Sequence, residues 1–162
     1  MNIRPARPED YPSICALWNP VIRDTTTIFH SEERDSAKVH EIIDARRRDG
    51  HEFFVAVAEG RLLGFATYAQ FRGGNGYRHA LEHSVILDAA AWGRGVGRAL
   101  MTRLEGHARD GGGHTLYAGV SGENTAGIAF HEKLGFKTIA TLPEAGRKFD
   151  RWLDLVLMMK FL

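Results

Sequence analysis

Three groups of residues have types and spacings that can do chemistry. The first is the run Trp92-Gly93-Arg94-Gly95-Val96-Gly97-Arg98, which follows the apolar segment Ser84-Val85-Ile86-Leu87 and leads into the helix-like segment Ala99–Leu104. Glycines let a backbone come close to a ligand, a helix N-terminus directs free N–H groups at it, and the two arginines add positive charge. The run therefore predicts a cradle for an anionic, phosphate-bearing ligand, with Gly93, Arg94, Gly95, Val96, Gly97 and Arg98 as its contacts. Spacing narrows the ligand. Counted from Gly93, a dinucleotide loop of the form G-x-G-x-x-G would end on Arg98, and no G-x-x-x-x-G-K-S/T run occurs.

The second group centres on Glu82. On a strand beginning at Ala80, alternation places Glu82, Ser84 and Ile86 on one face and His83, Val85 and Leu87 on the other. A carboxylate in so apolar a strand is costly unless it is paired or functional, and burial raises its pKa toward a value useful to a base. The alternative is a salt bridge to Arg72 or Arg78. Those two arginines flank Gly73-Gly74-Asn75-Gly76, and their guanidinium forks suit carboxylate or phosphinate oxygens. The third group, His79-Ala80-Leu81-Glu82-His83, matches the H-x-x-E-H pattern of zinc peptidases, which sits on a helix. On a strand the two histidines lie about 13 Å apart and Glu82 points the other way, so no metal is expected.

The elements that must hold these groups follow from periodicity. Ile3-Arg4 reads as an opening strand. Pro8, Glu9 and Asp10 start a helix that carries Ile14, Leu17, Trp18 and Val21, and a loop spans Asp24 to Glu33. Ser36 to Arg48 is a second amphipathic helix, whose Arg46-Arg47-Arg48 run is expected to be a solvated end. Phe53–Ala58 and Leu62–Phe71 are strands joined at Glu59-Gly60. After a polar loop, Arg72 to Arg78, come a strand over Ala80–Leu87 and a helix to about Arg109. They are followed by a strand over Thr115–Val120, a helix over Thr125–Leu134, and strands over Phe136–Leu142 and Trp152–Phe161. This order predicts an α/β fold, a mixed central β-sheet flanked by α-helices, in one domain spanning residues 1–162.

Composition sets the remaining bounds. The chain is 44% hydrophobic and 25% charged with a formal net charge of +1, which gives no reason to expect nucleic acid or a membrane as partner. Cys15 is the only cysteine, so no internal disulfide forms and a cytoplasmic location fits.

The x-x-x-G-x-G portion of the first run resembles the pyrophosphate loop Q/R-x-x-G-x-G/A of the GNAT superfamily of acyl-CoA-dependent N-acyltransferases, with Trp92 standing where Gln or Arg is usual. Asn124-Thr125-Ala126-Gly127-Ile128-Ala129-Phe130-His131-Glu132-Lys133-Leu134-Gly135-Phe136 resembles that family's second motif, N-x-x-x-x-x-L/F-Y/H-x-x-x-G-F. A narrower likeness runs through Phe71-Arg72, Tyr77-Arg78, Glu82-His83-Ser84-Val85 and Lys148-Phe149-Asp150-Arg151-Trp152-Leu153-Asp154. These segments resemble the branch containing phosphinothricin, methionine sulfoximine and methionine sulfone N-acetyltransferases. Ala80, Leu81, Ile86, Trp92 and Gly127 depart from its pattern.

The resemblance implies the GNAT fold and direct acetyl transfer from acetyl-CoA to the α-amine of a small amino-acid-like molecule, without a metal. It implies Glu82 as general base and a Val85-Ile86-Leu87 strand that docks the CoA arm, with Asn124 and Lys133 also on the CoA side. His131 stands where many relatives carry the tyrosine that protonates the leaving thiolate. Arg72 and Arg78 would hold substrate oxygens, Phe29 and Tyr77 would wall the pocket, and members of the branch are commonly homodimers. Two other readings stay open: an acetyltransferase for a different small amine, and an inactive CoA-binding sensor.

Overall fold

The computed structural model describes residues 1–162. Its elements are β1 (Asn2–Pro5), α1 (Tyr11–Asp24), α2 (Ser36–Arg48), β2 (Phe53–Ala58), β3 (Arg61–Gln70), β4 (Ala80–Leu87), α3 (Val96–Asp110), β5 (Thr115–Ser121), α4 (Thr125–Lys133), β6 (Lys137–Lys148) and β7 (Arg151–Phe161). The strands form one sheet in the order β1-β2-β3-β4-β5-β7-β6. Only β4 and β5 run parallel, and α3 makes the crossover that a parallel pair requires.

Each element follows from local chemistry. In α1, Ile14, Trp18 and Ile22 recur every four residues and are all buried. Asp35 caps α2 by accepting from the Lys38 amide at 2.8 Å. The β2–β3 hairpin turns at Glu59 and Gly60, with φ of 51° and 74°, the positive values that a two-residue turn of this hand requires. In α3, Leu100, Met101, Leu104 and Ala108 face the sheet.

These faces build two apolar layers, one on each side of the sheet. One joins α1 and α2 to Phe53, Val55, Phe65 and Ile86. The other joins α3 to Phe54, Ala56, Leu81, Leu116 and Met158, with Val85 and Leu87 packed against it. The two faces expected of β4 are therefore realised. No helix is long and apolar enough to cross a membrane.

Two expectations need correction. The strand expected over Phe136–Leu142 continues to Lys148, because Pro143, Glu144 and Ala145 do not end it. The register moves from Leu142↔Leu155 to Gly146↔Leu153, and the extra residues bulge out while Asp154 accepts from the Glu144 amide at 2.9 Å. The Arg46-Arg47-Arg48 run is also more than a solvated end. Arg47 reaches back to the Ala6 carbonyl at 2.8 Å and to Glu52 at 3.0 Å, and the Arg46 side chain has its Nε buried.

Candidate active site

The sheet opens where β4 and β5 part company. Their pairing consists of Ala80↔Thr115, Leu81↔Leu116 and Glu82↔Tyr117 only, although β3 follows β4 all the way to Leu87. From His83 onward, β4 therefore has no strand partner on its β5 side. A cavity of about 140 Å³ fills the wedge, with Val85 and Ile86 on one wall, Ala118, Gly119 and Val120 on the other, and His83, Asn124 and His131 around it. Trp18 of α1 and His30 of the loop after it close the remaining side.

Glu82 stands at the last β4–β5 pair, where the wedge begins, next to the cavity's lining residues His83 and Gly119 but not itself part of the lining. It has no salt bridge, so the pairing with Arg72 or Arg78 that the sequence leaves open is not made. Burial alone pushes its carboxyl above the ordinary carboxylate value. Gly119 makes the room for it, since a Cβ there would lie 3.1 Å from Glu82 Oε1. Sequence reasoning assigned Gly119 no role, and only the register of β5 on β4 identifies it.

At the open end of β4 the chain makes a short turn and enters α3. Asp88 anchors this turn by accepting from the Ala90 amide at 2.8 Å and pairing with Arg61 at 2.6 Å. Gly95 caps α3 in a left-handed conformation with φ of 79° and makes no side-chain cap hydrogen bond. The first N–H groups of α3 therefore have no side-chain acceptor at this cap. Gly93 and Gly95 face open space, and Arg94 and Arg98 are exposed beside them. Arg98 Nη2 also donates to the Lys133 carbonyl at 3.1 Å, which brings the end of α4 alongside the helix start.

Gly97 behaves differently from the other glycines of the run. It is buried, and a Cβ would meet Phe130 Cε2 at 2.9 Å and Leu87 Cδ1 at 3.0 Å. Its lack of a side chain serves packing of α3 against α4 and β4. Asn124 lines the cavity and caps α4, with Oδ1 accepting from the Gly127 amide at 2.9 Å. A Cβ at Gly127 would be 2.4 Å from Asn124 Nδ2, so glycine at 127 and this asparagine rotamer go together.

His131 is buried, not the surface residue that its helix position allows; its Nδ1 lies 2.7 Å from the Gly127 carbonyl and its Nε2 3.2 Å from His83 Nε2. Arg72, Tyr77 and Arg78 are exposed on the loop that feeds β4 and do not line the cavity. The Arg72 guanidinium lies over the Tyr77 ring at 5.6 Å, and Gln70 holds the loop by donating to the Arg72 and Gly74 carbonyls. Phe29 is also outside the lining: its ring fills the space over Gly146, where a Cβ would lie 2.2 Å from Phe29 Cδ2. Its neighbours Thr27, Ile28 and His30 face the cavity instead. Lys148 holds that loop in place, donating to the Ile22 carbonyl and, at 2.6 Å, to the Ile28 carbonyl.

The H-x-x-E-H residues lie on and just before β4. His79 bonds outward to the Gly112 carbonyl at 2.6 Å, and His83 turns inward to His131. No group of three His, Cys, Asp or Glu side chains is arranged to hold a metal ion.

Comparison with known proteins places this geometry in context. The sequence model of the acetyltransferase (GNAT) family matches residues 18–136. The chain is 36% identical to the L-amino acid N-acyltransferase MnaT of Escherichia coli strain K12, over 98% of this chain and 92% of that one. It is 38% identical to an L-methionine sulfoximine/L-methionine sulfone acetyltransferase of Pseudomonas paraeruginosa, over 97% and 92% of the two chains. The structure of yncA from Salmonella typhimurium with its cofactor acetyl-CoA superposes with a TM-score of 0.95 at 35% identity, covering 100% of this chain and 94% of that one.

Proposed function

The chain belongs to the acetyltransferase (GNAT) family, and from that premise we propose that it transfers the acetyl group of acetyl-CoA to the α-amine of a small amino-acid-like substrate, of which methionine sulfone, methionine sulfoximine and phosphinothricin are the favoured examples. The observation that carries this reading is the wedge itself: an uncapped, glycine-opened helix start at one end and an unpaired, half-buried carboxylate at the other. The Gly93–Arg98 run and Lys133 would hold the phosphates of CoA. The unpartnered edge of Val85, Ile86 and Leu87 would pair with its amide arm, and its N–H groups would polarise the thioester carbonyl. Asn124 would border the same arm.

Acyl transfer needs a neutral amine, and an α-ammonium is mostly protonated near pH 7. Glu82 takes that proton, directly or through water, and its raised pKa suits the task. The amine attacks the thioester carbon, the C–S bond breaks, and the thiolate collects a proton, for which His131 is the candidate donor. Arg72 and Arg78 would reach the carboxylate and side-chain oxygens from the loop above Glu82, with Tyr77 beside them and Phe29 shaping the far side through its flanking residues. No metal takes part in this scheme.

A thiol-release assay with acetyl-CoA against amino acids, sulfoximines, sulfones, polyamines and aminoglycosides tests the substrate class. Methionine sulfone should be turned over and its decarboxylated analogue poorly. Arg72→Ala and Arg78→Ala should each raise KM for methionine sulfone by about tenfold, the effect of losing a charge-assisted bond, with acetyl-CoA binding intact. A preference for polyamines, or unchanged KM in both variants, would instead indicate a general small-amine acetyltransferase, and CoA binding without turnover would indicate a sensor.

A homodimer and a cytoplasmic location belong to the same reading. The lone free Cys15 supports the second. Exposed Ile139, Leu142, Phe149 and Trp152 on β6, β7 and their turn support the first. Sedimentation should find a dimer that Trp152→Glu shifts toward monomer; a monomeric wild-type chain would remove the dimer from the scheme.

A further inference from the structure

Trp92 stands where the GNAT pyrophosphate pattern carries Gln or Arg, and the turn that holds it has a defined geometry. The Arg94 amide donates to the Ala91 carbonyl at 3.3 Å, with φ and ψ of −64° and 142° at Trp92 and φ of 71° at Gly93. This is a type II β-turn, whose third residue needs the positive φ that glycine adopts freely and whose second residue stands at the corner. Trp92 is that corner residue. The segment leading into it is braced: Ala91 is buried in the core, the Trp92 amide donates to the Ala89 carbonyl at 3.2 Å, and Asp88 accepts from the Ala90 amide at 2.8 Å.

The indole itself is uncovered. It is 68% exposed, and no other ring and no cation stacks on it. Between Asp88 and Arg98 it is the only aromatic side chain, and the ring that α4 brings to this helix start, Phe130, is packed over Gly97. Arg94 turns its guanidinium back to the Ala90 carbonyl at 3.4 Å and leaves the indole free. A large ring with only two side-chain torsions, fixed at the corner of a braced turn, loses little freedom when a ligand stacks on it. A phosphate gains nothing from such a surface. A flat heteroaromatic base does, because every base has a π-face to lay on it.

We propose that Trp92 is a stacking platform for the adenine of CoA, holding the nucleotide end of the cosubstrate while the glycine run holds its phosphates. The proposal rests on the acetyl-CoA reading above, in which the amide arm follows Val85, Ile86 and Leu87 into the wedge. The adenosine is joined to the other side of the diphosphate, so it leaves the cradle on the solvent side, where this ring stands. Stacking on an indole needs no charge and no hydrogen bond from the base. It therefore adds to the phosphate contacts of Gly93, Arg94, Gly95, Val96, Gly97 and Arg98 without duplicating them. The adenine takes no part in acyl transfer and is held equally before and during it, so the stack lowers KM for acetyl-CoA and leaves kcat alone.

The test is to bind CoA, 3′-dephospho-CoA and 4′-phosphopantetheine to the wild type, Trp92→Ala and Trp92→Phe, followed by calorimetry and by tryptophan emission. 4′-Phosphopantetheine keeps the arm and one phosphate but lacks the adenosine. The chain has three tryptophans, and subtracting the Trp92→Phe spectrum isolates Trp92 from Trp18 and Trp152. Trp92 emission should be quenched by CoA and by 3′-dephospho-CoA and unmoved by 4′-phosphopantetheine. Trp92→Ala should bind both adenosine-bearing ligands about tenfold more weakly, the loss of one base–aromatic stack, and Trp92→Phe should keep most of the affinity. In Trp92→Ala the affinity for 4′-phosphopantetheine and the melting temperature should match the wild type, because an exposed side chain is removed and the turn keeps its glycine. Unchanged CoA affinity in Trp92→Ala would overturn the proposal. An equal loss for CoA and 4′-phosphopantetheine would overturn it too, by placing the effect of the indole on the phosphates or the turn. A wild type that binds neither ligand would remove the acetyl-CoA reading itself, whereas one that binds both with Trp92 emission indifferent to the adenosine would remove the stack alone.

Discussion

Glu82→Gln is expected to lower kcat by about 10²-fold or more, the effect of losing a general base, while acetyl-CoA binds as before. The side chain stands at the last residue of β4 that pairs with β5, beside the space left by Gly119, and it makes no salt bridge. Its nearest alternative employment, an ion pair with Arg72 or Arg78, is not made. The pH dependence follows from the direction of its pKa. Burial raises it, so as pH falls the carboxylate is protonated, and the base lost, at a higher pH than an ordinary glutamate would require. The acid limb of kcat/KM should therefore lie above pH 4.5, the ordinary value, and should be absent in the variant.

Stability supplies the control for this experiment. Because the folded protein binds a proton at Glu82 more readily than the unfolded chain does, the charged carboxylate is a cost to folding at neutral pH, and a neutral glutamine removes it. Glu82→Gln should thus melt no lower than the wild type near pH 7. A rate that stays flat across the pH range in both proteins would take Glu82 out of the mechanism. A large fall in melting temperature would show a structural role instead.

What could be read from the chain without coordinates divides along physical lines. Helices and strands with a clean period, such as α2 with Val39 and Ile43 or the two faces of β4, are written in local sequence because one side of each must be buried. The helix-start cradle is local too, since Gly93, Gly95 and the start of α3 are consecutive. The wedge is not local. It depends on β4 and β5 separating after Glu82↔Tyr117, and nothing within either strand announces this. The same holds for Gly119, for His83 against His131, and for Trp18 and His30, which reach the cavity from elements far away in sequence. Phe29 illustrates the converse. An aromatic residue in a loop near a pocket reads as a wall, whereas the fold spends it on Gly146, and Lys148 ties the loop down so that Ile28 and His30 face inward.

Gly97→Val should be the most damaging single change in the cradle, and for a reason different from the one local sequence suggests. Read from the run alone, glycine at 97 lets the backbone approach a phosphate, as at Gly93 and Gly95. Those two need glycine for their left-handed backbone, with φ of 71° and 79° and open space where a side chain would be. Gly97 instead abuts the Phe130 ring and Leu87 at 2.9 and 3.0 Å. Valine there drives the first turn of α3 away from α4 and β4, an overpacking cost of about 1–3 kcal/mol. The displaced turn carries the N–H groups of Val96, Gly97 and Arg98 with it. Calorimetry should therefore show CoA affinity and melting temperature falling together. A second change, Phe130→Leu, should recover part of both by vacating the space that valine needs. Arg98→Ala, which removes one exposed charge and leaves the amides in place, should cost less affinity and almost no stability. Normal CoA affinity in a Gly97→Val protein with a lowered melting temperature would separate this helix start from phosphate binding. Loss of affinity with no change in stability would restore the reading of close backbone approach.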